Sequence, residues 1–233
     1  MSVGKPATNP RVAAYYAAGA ILVSLLVVYG WPWSGPLMWP VLSMTVLVVA
    51  YLGAGPGIYG KRNGILPRRT RLVMAPTLLG QQVSLQYYRR KSRPWDEAVP
   101  GLLMGRVLTE SECDRLIQSG ATAVLDLTAE FSESAPLRSL TYLNVPLLDL
   151  TAPTAPQLQE AVDFIRDQIA SGGTVCVHCK VGYSRTATAV GAYLMASGRY
   201  TSLDDVLAHL RAARPGIVIR PEAVEALRSF QAA

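Results

Sequence analysis

The 233-residue chain has room for one domain of ordinary size plus an extra segment, and half of its residues are hydrophobic. Its formal charge of +6 is unevenly spread: eleven Lys and Arg and no acidic residue precede Asp96, so the chain is +11 ahead of that point and −5 behind it. Three irregularly spaced cysteines exclude a disulfide framework, and a basic excess beside an apolar stretch points to anionic headgroups at a membrane and away from nucleic acid.

No charged side chain occurs between positions 12 and 60. Within that stretch, residues 13–30 and 37–54 are each dense in Val, Leu, Ala and Tyr and about the minimum length that crosses a hydrocarbon core as a helix. Trp31-Pro32-Trp33-Ser34-Gly35-Pro36 between them cannot continue a helix, and Trp31, Trp33 and Trp39 suit the headgroup level. The expectation is a transmembrane hairpin. Neither segment has the polar stripe of a water-facing helix, and no small-residue cleavage site separates them as a signal peptide would require. Lys5 and Arg11 ahead of the hairpin and Lys61, Arg62, Arg68, Arg69 and Arg71 after it place both termini and the rest of the chain on the cytoplasmic side. Residues 72–93 mix apolar and basic side chains and read equally as an interfacial amphipathic segment or a solvated linker.

From about residue 94 the pattern becomes that of an α/β domain. Strands are expected at 101–107, 121–127, 142–148 and 174–177. Thr109 with Glu112 forms a capping box that opens one helix, and Thr154 with Gln157 opens another running to 169, where Gly172-Gly173 ends it. Three further helices are expected over about 185–197, 202–213 and 221–230. Alternating strands and helices imply a mainly parallel central sheet flanked by helices. The expected division is an N-terminal transmembrane hairpin (1–60), a basic juxtamembrane connector (61–93) and an α/β domain (94–233), which the motif below makes the catalytic one.

The informative segment is Val177-His178-Cys179-Lys180-Val181-Gly182-Tyr183-Ser184-Arg185-Thr186. An apolar strand runs into a cysteine, five residues including Gly follow, and an Arg opens the next helix. Successive backbone amides over Lys180, Val181, Gly182, Tyr183 and Ser184 form an anion-binding nest, and Arg185 adds a planar fork for two phosphate oxygens. The same positive surroundings lower the thiol pKa and set Cys179 as a nucleophile under the phosphorus. The cations and amides neutralise a phosphoryl group, so the chemistry calls for no metal and no cofactor.

These residues resemble the signature of the protein tyrosine phosphatase superfamily, in its dual-specificity branch. The resemblance runs over about 94–230 and is nearest in pattern to the mitochondrial-type phosphatidylglycerophosphate phosphatase group. It is carried by Trp95 ahead of Gly101-Leu102-Leu103-Met104-Gly105, by Thr128-Ala129-Glu130-Phe131, by Asp149-Leu150-Thr151 and by Ile219-Arg220-Pro221. It implies that Cys179 forms a cysteinyl-phosphate, that Arg185 clamps the phosphate, and that the Thr186 hydroxyl stabilises the departing thiolate. It further implies that His178 supports the thiolate through hydrogen bonds and that Asp149 is the general acid. The substrate it implies is a phospholipid headgroup or, alternatively, a phosphoprotein; an inactive phosphate-binding module is a third reading, against which the intact Cys179, Asp149 and Arg185 stand. Cys176 permits a Cys-x-x-Cys redox reading, but strand alternation favours a buried core thiol. Asp126, Cys113 and His209 read as structural.

Overall fold

The computed structural model describes residues 7–232. Lys5, counted with the basic flank, lies outside the described residues. Helix α1 (Pro10–Gly30) starts where Asn9 accepts a hydrogen bond from the Val12 amide and Pro10 supplies a pre-set φ. Helix α2 (Met38–Val49) packs back along it, with Gly19 admitting the Met44 sulfur where a Cβ would stand only 3.1 Å away. Helix α1 and the helical run Gly35–Tyr59 that contains α2 are each long and apolar enough to cross a membrane, and most of their surface is uncovered by protein. Ile21, Leu22, Val28, Leu42 and Leu52 are all more than half exposed. Gly53 and Gly55, at φ +142° and +71°, then break the helix into a short 3-10 turn ending at Tyr59.

Residues 61–93 pack on the α/β domain, so 72–93 is not a solvated linker. Lys61 is buried and ion-paired to Asp126, also donating to the Thr128 carbonyl. A tight turn at Asn63-Gly64 follows; a Cβ on Gly64 would lie 2.7 Å from the Arg138 side chain, so only glycine fits. The turn is held by the Glu133 amide donating to the Gly64 carbonyl at 2.7 Å. Helices α3 (Arg68–Val73) and α4 (Ala75–Arg89) then run along α2 and back to the catalytic part, tied by Ser43–Thr77 hydroxyl contact at 2.7 Å and by Arg89 donating to the Leu108 carbonyl. Of the basic flank, Arg62, Arg68, Arg69 and Arg71 are exposed, whereas Lys61 serves the protein interior.

The catalytic part is a five-stranded sheet of β1 (Trp95–Val99), β2 (Leu102–Arg106), β3 (Ala123–Thr128), β4 (Thr141–Leu147) and β5 (Val175–Cys179) in the order β1-β2-β5-β3-β4. Only β1, absent from the expected strands, is antiparallel. Its Asp96 and Glu97 interrupt any apolar run, which an edge strand tolerates. Both capping boxes form, opening α5 (Glu110–Gln118) and α7 (Ala155–Ala170). Helix α6 (Ala135–Arg138) is short, and α8 (Ser184–Ala196), α9 (Leu203–Ala213) and α10 (Pro221–Gln231) complete the domain.

Strand alternation sorts the two layers. Val175, Val177 and Cys179 face the larger core with Ile165, Val190, Val206 and Leu227. Cys176 faces the smaller layer with Cys113, Leu116 and Leu137. Buried there, its thiol is pushed up to about 12, the property of an inert core group. His209 Nε2 pairs with the Ala98 carbonyl at 2.7 Å, the structural role expected of it.

Candidate active site

Strand β5 lies in the middle of the sheet, paired on both sides by parallel neighbours, and delivers Cys179 at its C-terminal end beside the N-terminus of α8. This is where an open α/β sheet leaves a crevice. The loop between them closes around Gly182 at φ +74°. A Cβ there would lie 2.5 Å from the Gly105 carbonyl oxygen and 2.8 Å from Arg214, so the close approach of loop to β2 demands glycine. Beneath the loop, buried Arg214 donates to the Arg93, Met104 and Val181 carbonyls and pairs with Asp96 at 2.6 Å. Ser184 accepts from the Arg220 amide at 3.1 Å, which ties the loop to the start of α10. Such support pre-sets the amides for an anion.

Arg185 enters the site from the first turn of α8 and is buried. Its guanidinium is forked by Glu130, at 2.8 and 3.2 Å, and donates to the Leu147 carbonyl at 2.9 Å and to Asp149 Oδ1 at 3.1 Å. Lys180 stands 3.6 Å from Asp149 Oδ2 and donates to Gln81 of α4. Burial pushes the Asp149 carboxyl up, but Arg185 and Lys180 outweigh it and the net direction is down. Without a ligand, Asp149 is therefore an ionised partner of the two cations.

Burial also pushes the Cys179 thiol up. The Arg185 charge, the Thr186 hydroxyl and the amides of Thr186 and Tyr183 overcome that push, and the net direction is down. The Thr186 hydroxyl is buried and has no hydrogen-bond partner among the described residues. His178 is not brought to this cluster. As a neighbour of Cys179 in a strand it points to the other face, where Nε2 stands 2.7 Å from Glu133 Oε2 and 3.9 Å from Asp126 Oδ1. Burial lowers its pKa, yet the two carboxylates hold it up at about 8.

Asp126, Glu133 and His178 offer ligand atoms within 4.8 Å of one another, a spacing a metal could use. The Lys61 ammonium already sits on Asp126, next to a Tyr142 hydroxyl that donates to the same carboxylate at 2.6 Å. The cluster is thus a charge-compensated support behind β5, on the face away from Cys179.

The Asp149 segment is held from outside the α/β domain. Tyr51, in the turn that follows α2, donates through its hydroxyl to the Asp149 carbonyl at 2.8 Å, and Asn9 donates to the Leu150 carbonyl at 2.7 Å. Leu150 itself sits at φ +61°, a conformation that needs such support. Glu130, Gln81, Tyr51 and Arg214 were not assigned roles from sequence. Glu130 stood within the family pattern, and a buried Arg185 implies a carboxylate partner, but spacing alone does not choose among Glu130, Glu133 and Asp149.

A cysteine at the end of a central parallel strand, an amide-lined loop and a forked guanidinium opening the next helix define a cysteine-dependent phosphatase. Residues 104–233 match the family described as dual specificity phosphatase, catalytic domain, and the chain belongs to that family. It is a phosphoric monoester hydrolase. Over 184 residues it is 30% identical to the phosphatidylglycerophosphate phosphatase PTPMT2 of Arabidopsis thaliana, covering 76% of this chain and 80% of that protein. The active form of Tk-PTP superposes with a TM-score of 0.55 at 29% identity, covering 60% of this chain and 97% of that one. PTPMT1 in complex with PI(5)P gives the same TM-score at 25% identity, covering 60% and 96%.

Proposed function

We propose that the protein is an integral membrane phosphatase that releases phosphate from a phospholipid headgroup such as phosphatidylglycerophosphate. The observation that carries this reading is the make-up of the cavity over Cys179. Cys179, Lys180 and Arg185 form one side of it, and Tyr16 and Met44 of the two apolar helices, with Thr77 and Gln81 of α4, form the other. The similarity to proteins described as phosphatidylglycerophosphate phosphatase and as binding PI(5)P supports a lipid substrate.

In this reading the phosphate dianion settles on the loop amides of residues 180–185 and takes over Arg185 and Lys180 from Asp149. The carboxylate, now beside an anion rather than two cations, gains a proton. Cys179 Sγ attacks the phosphorus, the S–P bond forms as the P–O bond to the lipid alcohol breaks, and Asp149 gives its proton to the departing oxygen. Asp149 then takes a proton from water, whose oxygen attacks the cysteinyl-phosphate. The thiolate leaves, stabilised by Thr186, and phosphate is released. His178 acts in this scheme as a support behind the strand.

Residues 1–60 then form a hairpin crossing the membrane twice, 61–93 a connector docked on the enzyme, and 94–233 the catalytic domain. Arg11 in the first turn of α1 and Arg62, Arg68, Arg69 and Arg71 after α2 favour a cytoplasmic active site close to anionic headgroups. The test is phosphate release by the purified full-length enzyme from a panel of phosphomonoester lipids and phosphopeptides, with Cys179→Ser as blank. Preferred release from lipid is expected; preferred release from phosphotyrosyl peptides would make the protein a membrane-tethered protein phosphatase.

A further inference from the structure

The phosphate loop accounts for only part of the cavity, whose volume is about 640 Å³. Its far wall is largely α4. Thr77, Gly80, Gln81, Ser84 and Tyr88 line the space and recur at the three- and four-residue spacing of one helix face. That face is small or polar. Leu79, Val83 and Tyr87 occupy a different stripe and are 66%, 71% and 54% exposed, with Leu72 of α3 at 67% beside them. A helix of a water-soluble domain buries its apolar stripe and exposes its polar one; α4 buries Leu85 and packs Leu78 on the core, yet leaves this second apolar stripe uncovered. Its apolar stripe is joined to the uncovered surface of the hairpin, because Ser43 and Trp39 of α2 bond to Thr77 and to the Leu72 and Val73 carbonyls. A bilayer around α1 and α2 therefore also meets the outside of α4, and the cavity lies between that lipid-facing layer and Cys179.

Gly80 sits in this wall, inside a helix where glycine is unfavourable. A Cβ at Gly80 meets no atom within 4 Å, so the residue leaves space rather than relieving a clash. Gln81 accepts from Lys180 and reaches toward the Tyr16 hydroxyl at 3.5 Å, fixing the wall to the phosphate loop.

We propose that the wall formed by α2 and α4 is a binding site for the glyceryl and proximal acyl part of the lipid, which reaches Cys179 sideways from the bilayer. Met44, Gly80 and Ser84 take the glyceryl-acyl junction while the loop takes the phosphate. This rests on the lipid reading of the site and adds that the chain recognises the lipid body as well as the headgroup.

The experiment uses the full-length enzyme in detergent and a water-soluble, dihexanoyl phosphomonoester lipid below its micelle concentration, with its partition into the detergent measured and divided out. The ratio of its kcat/KM to that of the same headgroup without acyl chains reads the wall alone. The ratio should be about ten or more in the wild type, the order that two buried methylenes give. Gly80→Leu should lower the ratio about fivefold or more, and Ser84→Phe should do the same from a non-glycine position. A wild-type ratio near one, or a ratio unmoved in both variants, overturns the proposal. If long-chain lipid in vesicles is still hydrolysed in that case, the lipid reading stands and the wall alone falls. If neither acylated nor deacylated headgroup is cleaved while phosphotyrosyl peptide is, both fall together.

Discussion

The charge cluster behind β5 makes a pH-dependent contribution to stability that can be worked from its geometry. His178 is fully buried beside Glu133 and Asp126, and its pKa is held up from 6.5 to about 8. Below pH 6.5 the folded and unfolded states both carry the proton and the stabilisation is complete. Between 6.5 and about 8 only the folded state holds it, so folding takes up a proton and stability falls as pH rises; above about 8 nothing of this contribution remains. The difference corresponds to about 2 kcal/mol. Cys179, whose pKa is lowered, works in the opposite direction, losing stability as pH falls through its folded value. The assay is therefore a difference: denaturant unfolding of the full-length enzyme in mild detergent at pH 6 and pH 9, wild type against Glu133→Gln. The variant should be the less stable at both values, with a gap about 2 kcal/mol smaller at pH 9 than at pH 6. A gap independent of pH would refute the assignment of a protonated His178 to this cluster.

Cys179→Ser should abolish turnover while vanadate binding, measured by calorimetry, persists, because the loop amides and Arg185 remain. Asp149→Ala should slow hydrolysis of an alkyl phosphate at least about a hundredfold while nitrophenyl phosphate, whose leaving group needs no proton, loses far less. Equal losses would remove Asp149 from the acid role. Glu130→Gln should lower stability by about 2 kcal/mol by removing one arm of the fork on Arg185, and should raise KM for small phosphomonoesters as the guanidinium loses its orientation. An unchanged KM would show that Asp149 and the Leu147 carbonyl suffice to hold Arg185.

The catalytic loop was legible in the sequence because everything it needs is local. A strand end, a glycine at positive φ and the first turn of a helix lie within residues 177–186, and the capping boxes at Thr109 and Thr154 are equally short-range. What depends on non-local contacts was not legible. Lys61 reads as one more member of a basic flank until the chain folds it onto Asp126, 65 residues away. His178 adjoins the nucleophile in sequence and was expected to assist it, but strand alternation sends its ring to the other face. The edge strand β1 turns Glu97 to water and Asp96 inward, where it serves Arg214, 118 residues distant. Helix α4 left two readings open because its apolar stripe faces outward, which one-dimensional periodicity cannot distinguish from a surface segment.

The N-terminal helices and the α/β domain are also more closely joined than a linear division suggests. Tyr51 and Asn9 hold the Asp149 segment from the hairpin, Gln81 holds Lys180 from α4, and Lys61 supports β3. A reaction carried out on lipid by this arrangement has its acid, its second cation and its cavity wall all positioned by the N-terminal region.

The central claim is that Cys179 takes phosphate directly from a membrane lipid. Wild-type enzyme in vesicles containing a diacyl phosphomonoester lipid, quenched in acid during turnover and digested, provides the test by mass spectrometry. The peptide bearing Cys179 should carry the added mass of one phosphoryl group, which should be absent from the Cys179→Ser protein. No adduct from lipid, with a clear adduct at Cys179 from phosphotyrosyl peptide, would contradict it.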